Sequence, residues 1–320
     1  MALAVNPLFV LLEVTGALLF GAACWIALRG GRLPLLELLS AASFGLLLEE
    51  GDQLIFETYH YSADWTLVVD RAPVLIGLTW AIIIAGAMRI TDALGIPHRF
   101  APFVDALLAI SLDLAFDAIA IRIGLWTWRG VGETQGWFGV PAGNFYSWLF
   151  VTLAFSLLSR WVRQVARRRP MLEWLQLGVP LPAFVILLAA IAPYAVLQGI
   201  LEPGRGNGLG LFAITLAAFV VLAAIGFTRR RKPDRHDERL DPLPLRIAFV
   251  SRLAIHAFFL TALVVMGLAT RLPVLLLVAL AMLALELPLV MWTGASDTSM
   301  RLGTRSGRNR AAPRPSADAP

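Results

Sequence analysis

The sequence predicts an all-α fold: a polytopic transmembrane helix bundle of about nine spans, N-terminus outside and C-terminus inside. Three observations carry that prediction. Of 320 residues, 58% are hydrophobic and only 15% charged, with a mean hydropathy of +0.73; a soluble domain carries roughly 25% charged residues. Apolar runs of bilayer-crossing length recur along the whole chain. The arginines between them fall in short blocks that alternate with nearly uncharged connections.

A hydrocarbon core about 30 Å thick needs ~20 apolar residues at 1.5 Å per residue. Runs near that length occupy 8–28, 34–56, 73–91, 101–123, 145–162, 178–200, 209–228, 247–270 and 272–293. Each must satisfy its backbone hydrogen bonds internally in lipid, so each is read as helix. Pro180, Pro182, Pro193 and Pro288 lie in or at the ends of such runs and are expected to kink them. The first run has no basic residue before it and no small-residue cleavage site, so it reads as a span rather than a signal peptide.

Orientation follows from the excess of basic residues on the cytoplasmic side. With the N-terminus outside, the inner connections hold Arg29, Arg32, Arg89, Arg99, Arg160, Arg163, Arg167 to Arg169, Arg229 to Lys232, Arg235, Arg239 and Arg246. The C-terminal segment adds Arg301, Arg305, Arg308, Arg310 and Arg314, while the outer side keeps only Arg71, Arg122, Arg129, Arg205 and Arg271. Residues 1–297 thus read as a single transmembrane domain in the cell (cytoplasmic) membrane. The Arg-, Ser-, Ala- and Pro-rich stretch 298–320 reads as a disordered basic cytoplasmic tail.

Several function classes are excluded. The net charge of +5 and pI near 10.1 come from topogenic blocks, and no nucleic-acid-binding signature accompanies them. Cys24 is the only cysteine, which leaves no disulfide and no cysteine-rich metal site. No dinucleotide or phosphate-binding glycine loop occurs. His60, His98, His236 and His256 lack metal-ligand spacing, so no metal and no cofactor is expected; His256 reads as a packed, hydrogen-bonded residue.

What remains is acid–base chemistry, or binding, on something apolar. A charge at mid-span costs ~2.5–3.5 kcal/mol, so intramembrane acids are functional candidates. The fourth run carries Asp105, Asp113 and Asp117. At 100° per residue Asp113 and Asp117 lie about 40° apart on one face, turned into the bundle. Asp105 is nearer the inner surface, level with Arg89 and Arg252, and reads as one half of a structural ion pair. The second run ends in Glu49, Glu50 and Asp52, of which Glu49 and Asp52 share a face at i, i+3, while Glu50 reads as interfacial. Glu13, Glu37 and Glu286 are isolated and read as structural. Tyr59 and Tyr61 follow as belt anchors or site-lining phenols. Trp126, Trp128, Trp137 and Trp148 suit an interfacial aromatic belt, but their grouping with Gly139, Pro141, Asn144 and Phe145 reads as a shaped loop, with Asn144 capping the fifth helix.

The run DLAFDA at 113–118, then GLWTW at 124–128 and WFGVPAGNFYSW at 137–148, resembles the integral-membrane carotenoid biosynthesis protein family. EEGD at 49–52, YHY at 59–61 and PVLIGLTW at 73–80 are similar to that family's acidic, tyrosine and Pro…Trp positions. The family includes hydratases acting on the acyclic ends of γ-carotene and of bisanhydrobacterioruberin-type fifty-carbon carotenoids. The resemblance covers roughly 45–150. It departs at Ala118, where a proline is expected, and at the LIFETY approach to the tyrosine pair, which bears on the substrate more than on the fold.

The resemblance implies addition of water to a terminal (1,2) double bond, giving a tertiary alcohol without cofactor or metal. Asp113 or Asp117 would be the acid, and Glu49 or Asp52 would orient water. Tyr59, Tyr61, Trp80, Trp126, Trp128, Asn144, Phe145 and Trp148 would line the substrate. The implied partners are a hydrophobic carotenoid drawn from the bilayer, lipids, and other carotenoid-pathway enzymes; nucleic acid is not among them. Two other classes stay open from the residues alone: a membrane transporter, and a non-catalytic carotenoid- or isoprenoid-binding protein.

Overall fold

The computed structural model describes residues 6–204, 206–230 and 242–293. The basic loop around 231–241, Arg205 and the tail 298–320 lie outside the described residues, and so do the expectations attached to them.

The described chain is mostly helical. It runs α1 (Pro7–Arg29), α2 (Arg32–Gly51), a π-helical turn (Asp52–Phe56), β1 (Tyr59–Tyr61), β2 (Val68–Val69), β3 (Ala72–Pro73), α3 (Val74–Ala93), α4 (Ala101–Ala120), β4 (Trp126–Trp128) and α5 (Ala142–Arg168). A 3-10 helix (Pro170–Gly178), α6 (Pro180–Leu201), α7 (Leu209–Thr228), α8 (Leu243–Val265), α9 (Leu268–Arg271) and α10 (Pro273–Trp292) complete it. Seven of the long helices are apolar enough to cross a membrane: α1, α3, α5, α6, α7, α8 and α10. Helices α2 and α4 are equally long, but they carry Glu37, Glu49 and Glu50, and Asp105, Asp113 and Asp117, which lower their hydropathy. Those acids are what the bundle is built around.

Helix ends follow local chemistry. The Asn6 side chain accepts from the Leu8 amide at 3.2 Å, with Pro7 in the first turn of α1. Pro193 and Pro288 are accommodated inside α6 and α10, whereas Pro180 and Pro182 open α6. The second span expected through residue 56 instead leaves α-helix at Gly51; the π turn follows and ends on Glu57 at φ +48°. The fifth helix continues to Arg168, so Arg160 and Arg163, expected in a loop, lie within α5.

Helices α3 and α4 form the centre. α3 packs on α1, α2, α4 and α8, and α4 on α5, α7, α8 and α10. Seventeen residues of α4 are buried, among them all three aspartates. Helices α1, α6, α7 and α10 present mostly exposed apolar faces, as helices bordered by lipid do. α2 and α3 meet through small residues: a Cβ on Gly77 would stand 2.5 Å from Leu46 Cγ and 3.0 Å from the Ala42 carbonyl.

The only sheet among the described residues is two short antiparallel pairs, β1 with β4 and β2 with β3. In the first, Tyr59 faces Trp128, His60 faces Thr127 and Tyr61 faces Trp126. Alternation along a strand therefore sends both tyrosines and both tryptophans to one side.

Candidate functional site

α4 supplies the centre of the site. Asp113 is 0% exposed and Asp117 2% exposed, one helical turn apart. Opposite them stands Asn144, whose side-chain amide donates to Asp113 Oδ2 at 3.0 Å and to Asp117 Oδ2 at 2.6 Å. The Oδ1 atom of each aspartate is buried without a partner among the described residues. Among the described residues, no hydrogen bond or ion pair joins a lysine or arginine to either. Asn144 does not cap α5, as the sequence suggested: Pro141 holds the cap position and Asn144 lies in the first turn, turned toward α4. A proline fixes the backbone there and has no side-chain acceptor, which leaves the asparagine amide available to the acids.

The loop before α5 is pinned by Arg122, which donates to the carbonyls of Ala118 (2.6 Å), Phe138 (2.8 Å) and Glu133 (3.3 Å). Arg122 therefore serves the loop rather than Asp117. Gly136 turns the chain at φ +58°, where a Cβ would meet the Val140 carbonyl at 2.2 Å.

Glu49, 5% exposed at the end of α2, forms the second centre. It accepts from the Tyr59 hydroxyl, from the Tyr61 hydroxyl at 2.5 Å, and from Trp80 Nε1 at 2.7 Å. Burial and the nearby Glu49 carboxylate push the Tyr59 and Tyr61 phenols well above their usual range, so both remain donors. Glu49 also lies close enough to Asp117 to interact electrostatically, and the Trp126 side chain stands beside Asp117. Asp52 is occupied locally, accepting from the Thr58 hydroxyl at 2.8 Å and the Thr58 amide at 3.2 Å. Glu50 holds the outer loop through the Arg71 and Ala72 amides at 3.0 and 2.7 Å, in keeping with an interfacial role.

Asp113, Asp117, Asn144, Glu49 and Asp52 face one cavity of about 850 Å³, toward the upper end of the ~300–1,000 Å³ usual for small-molecule sites. Its aromatic lining falls into two groups of touching rings, one around Tyr59 and Trp128 and one around Trp148. Tyr59 meets Trp128 edge-on at 4.8 Å, Trp80 and Trp148 lie 4.1 Å apart, and Phe116 approaches Trp148 at 5.4 Å. Of the residues singled out in the sequence, Glu49, Asp52, Tyr59, Tyr61, Trp80, Asp113, Asp117, Trp126, Trp128, Asn144 and Trp148 line it. Phe145 does not: fully buried, it packs against Phe212 at 5.7 Å. Trp137 also lies apart, donating to the Leu114 carbonyl at 2.8 Å.

Three of the other buried acids, Asp105, Glu37 and Glu286, are held by arginines. Asp105 is joined to Arg160 at 2.9 Å and to the Ser156 hydroxyl at 2.5 Å, not to Arg89 or Arg252. Its partner was missed because Arg160, at the inner end of the 145–162 run, counts in the sequence with the topogenic arginines of an inner connection. Arg163 bridges Asp92 at 2.6 Å and Glu37, which Arg89 approaches at 3.7 Å. Arg252 binds Glu286 at 2.6 Å, the Leu108 carbonyl and Ser111, and His256 adds a 3.2 Å contact to Glu286. Glu13 accepts from the Thr66 and Leu67 amides at 2.8 and 3.0 Å. Glu13, Glu37 and Glu286, read in the sequence as isolated, each have bonded partners.

Sequence reasoning missed the cavity walls supplied by α1, α6 and α8, including Tyr194 and Phe259. α6 is apolar on all sides, and the few polar residues of α1 and α8, such as Glu13 and Arg252, are taken up by partners elsewhere, so no pattern marks which residues face the cavity. Among the described residues no group of three or more histidine, cysteine or acidic side chains is arranged to hold a metal ion.

Fold and site together define a multi-pass helical membrane protein with a buried acid pair in an aromatic-walled cavity. The family model for carotenoid biosynthesis proteins matches residues 7–209, well over half the chain and all of the acid site. The chain belongs to the carotenoid biosynthesis protein family. Membership points to a role in carotenoid biosynthesis, as an enzyme. Neither a curated protein nor a solved structure matches the chain.

Proposed function

We propose that this protein hydrates the terminal (1,2) double bond of an acyclic carotenoid end group, working in the cell membrane on substrate drawn from the bilayer. The observation that carries the reading is the acid pair: two buried aspartates share one asparagine amide, each keeps an unpartnered oxygen, and both face an aromatic-walled cavity. Two carboxylates so placed, with no bonded cation, are best accommodated with one proton between them.

In this reading the protonated aspartate delivers its proton to the less substituted carbon of the double bond. The new C–H bond takes the π electrons and leaves a tertiary cation on the other carbon. Trp126, Trp128, Trp148 and Tyr61 line the same cavity, and an aromatic face turned to such a cation stabilises it by ~2 kcal/mol or more in a desolvated site. Water attacks the cation, and its proton passes to the second, ionised aspartate. The pair begins and ends with one proton, the sum is alkene plus water to tertiary alcohol, and no redox partner is required.

Glu49 takes a different part from the one its position in the sequence suggests. Both of its oxygens are engaged by three donors, so it orients Tyr61 and Trp80 rather than water. Asp52 is likewise committed to Thr58. The second aspartate is the better proton acceptor.

We further infer that all nine long helices cross the bilayer, with the acid pair in its outer half. The arginine distribution supports an outside N-terminus. Lipids and other carotenoid-pathway enzymes are its proposed neighbours. Asp113→Asn and Asp117→Asn, expressed in a carotenoid-producing host, test the reading. Both variants are expected to accumulate unhydrated carotenoid; hydration at the wild-type rate in both, with normal folding, would refute the assignment.

A further inference from the structure

The family match ends at residue 209, yet the cavity does not. Helix α8 contributes Ser251, Ala254, Ile255, Phe258 and Phe259 to its wall. These positions recur at three- and four-residue intervals, which puts them on one face. They run from Ser251 to Phe259, eight steps or about 12 Å of helix at 1.5 Å per residue. α1 contributes Leu11, Leu12, Thr15, Gly16 and Leu19 with the same spacing over the same length. Leu11 is 60% exposed although it lines the cavity, so this side opens at the bundle's lipid-facing surface.

The α8 face also reaches the chemistry. Phe259 stacks on Phe116 at 4.9 Å with the rings 17° apart, and Phe116 immediately precedes Asp117. Phe116 in turn meets Trp148, at the aromatic wall beside the acids. A linear apolar molecule whose end rests at the acid pair therefore has a groove along α1 and α8 for its chain.

We propose that α8 is the specificity wall of the site: the polyene lies in the groove between α1 and α8, and Ala254, Phe258 and Phe259 determine which chains and end groups fit. The placement of the reacting end rests on the hydratase reading; the groove itself does not. Ala254 faces the groove, while Ala257, three residues further on, faces away from it and is exposed.

Ala254→Phe and Ala257→Phe make the same substitution on the two sides of one helix. The full-length variants, purified from lycopene-producing cells, are compared for retained pigment by absorbance and for hydrated product by mass. Filling the groove is expected to lower both by about tenfold in Ala254→Phe, with Ala257→Phe within twofold of wild type. Ala254→Leu serves if the phenylalanine variant does not give a monodisperse peak. Phe259→Ala should raise turnover of a bulkier fifty-carbon carotenoid relative to lycopene several-fold, a change of preference that simple loss of packing does not produce. Equal retention by the Ala254 and Ala257 variants, with unchanged preference in Phe259→Ala, would overturn the proposal. If wild type retains lycopene but forms no hydrated product, the hydratase reading fails and the groove is still judged by pigment retention.

Discussion

Replacing Asn144 by alanine removes the one side chain that holds both aspartates. Its amide donates at 3.0 Å to Asp113 and at 2.6 Å to Asp117. When the acid gives up its proton, the new carboxylate keeps an amide donor that the variant lacks. A hydrogen bond to a charged group is worth roughly 1.5–3 kcal/mol. If that full amount is felt in the transition state, turnover falls about ten- to a hundredfold, at 1.36 kcal/mol per decade. The assay is hydrated product formed per amount of protein, with lycopene supplied in lipid vesicles and folding checked by size exclusion. A folded Asn144→Ala variant within twofold of wild type would refute the shared-amide mechanism.

Other consequences are equally open to measurement. Arg160→Met strips the charged partner from Asp105, which is 0% exposed, and should cost about 3–5 kcal/mol; adding Asp105→Asn should restore part of the lost thermal midpoint, the ion pair of Arg160 with Asp92 staying lost. Glu49→Gln keeps the volume but leaves three donors facing an amide, and should lower stability by ~1–3 kcal/mol, read from the same melting experiment. The raised tyrosine phenols remain protonated, and so remain donors, until pH climbs past their elevated pKa. Activity should therefore show no tyrosine-dependent loss between neutral pH and about pH 9, and Tyr61→Phe should leave the profile's alkaline side unmoved. Gly136→Ala places a Cβ against the Val140 carbonyl at φ +58°; thermal unfolding should show a loss of about 1–3 kcal/mol.

Much of the helical layout was legible because lipid imposes length and apolarity on each span, and the runs at 209–228 and 272–293 coincide almost residue for residue with α7 and α10. The convergence of the acids was legible for a related reason. A charged group in an apolar helix is costly enough that Asp113, Asp117 and Glu49 stand out by themselves. Pairing was not legible. Nothing in YHY or WTW announces that strands more than sixty residues apart will bond to each other, and that pairing turns two tyrosines and two tryptophans to one side. Asn144 was misread for a local reason. Asparagine near a helix start usually caps it, but Pro141 already fixes that end, and the amide finds α4 instead. Arg160 was misplaced because a charged residue looks like a span's end until its buried partner, Asp105, is known.

The central claim is that the acid pair adds water to an acyclic carotenoid end. Purified full-length protein in lipid vesicles, given lycopene in oxygen-labelled water, tests it most directly. The account predicts a product heavier by one water, with a single labelled oxygen in a tertiary hydroxyl, formed by wild type and lost in Asp113→Asn and Asp117→Asn. Unchanged lycopene, or a product whose oxygen does not come from water, would contradict it.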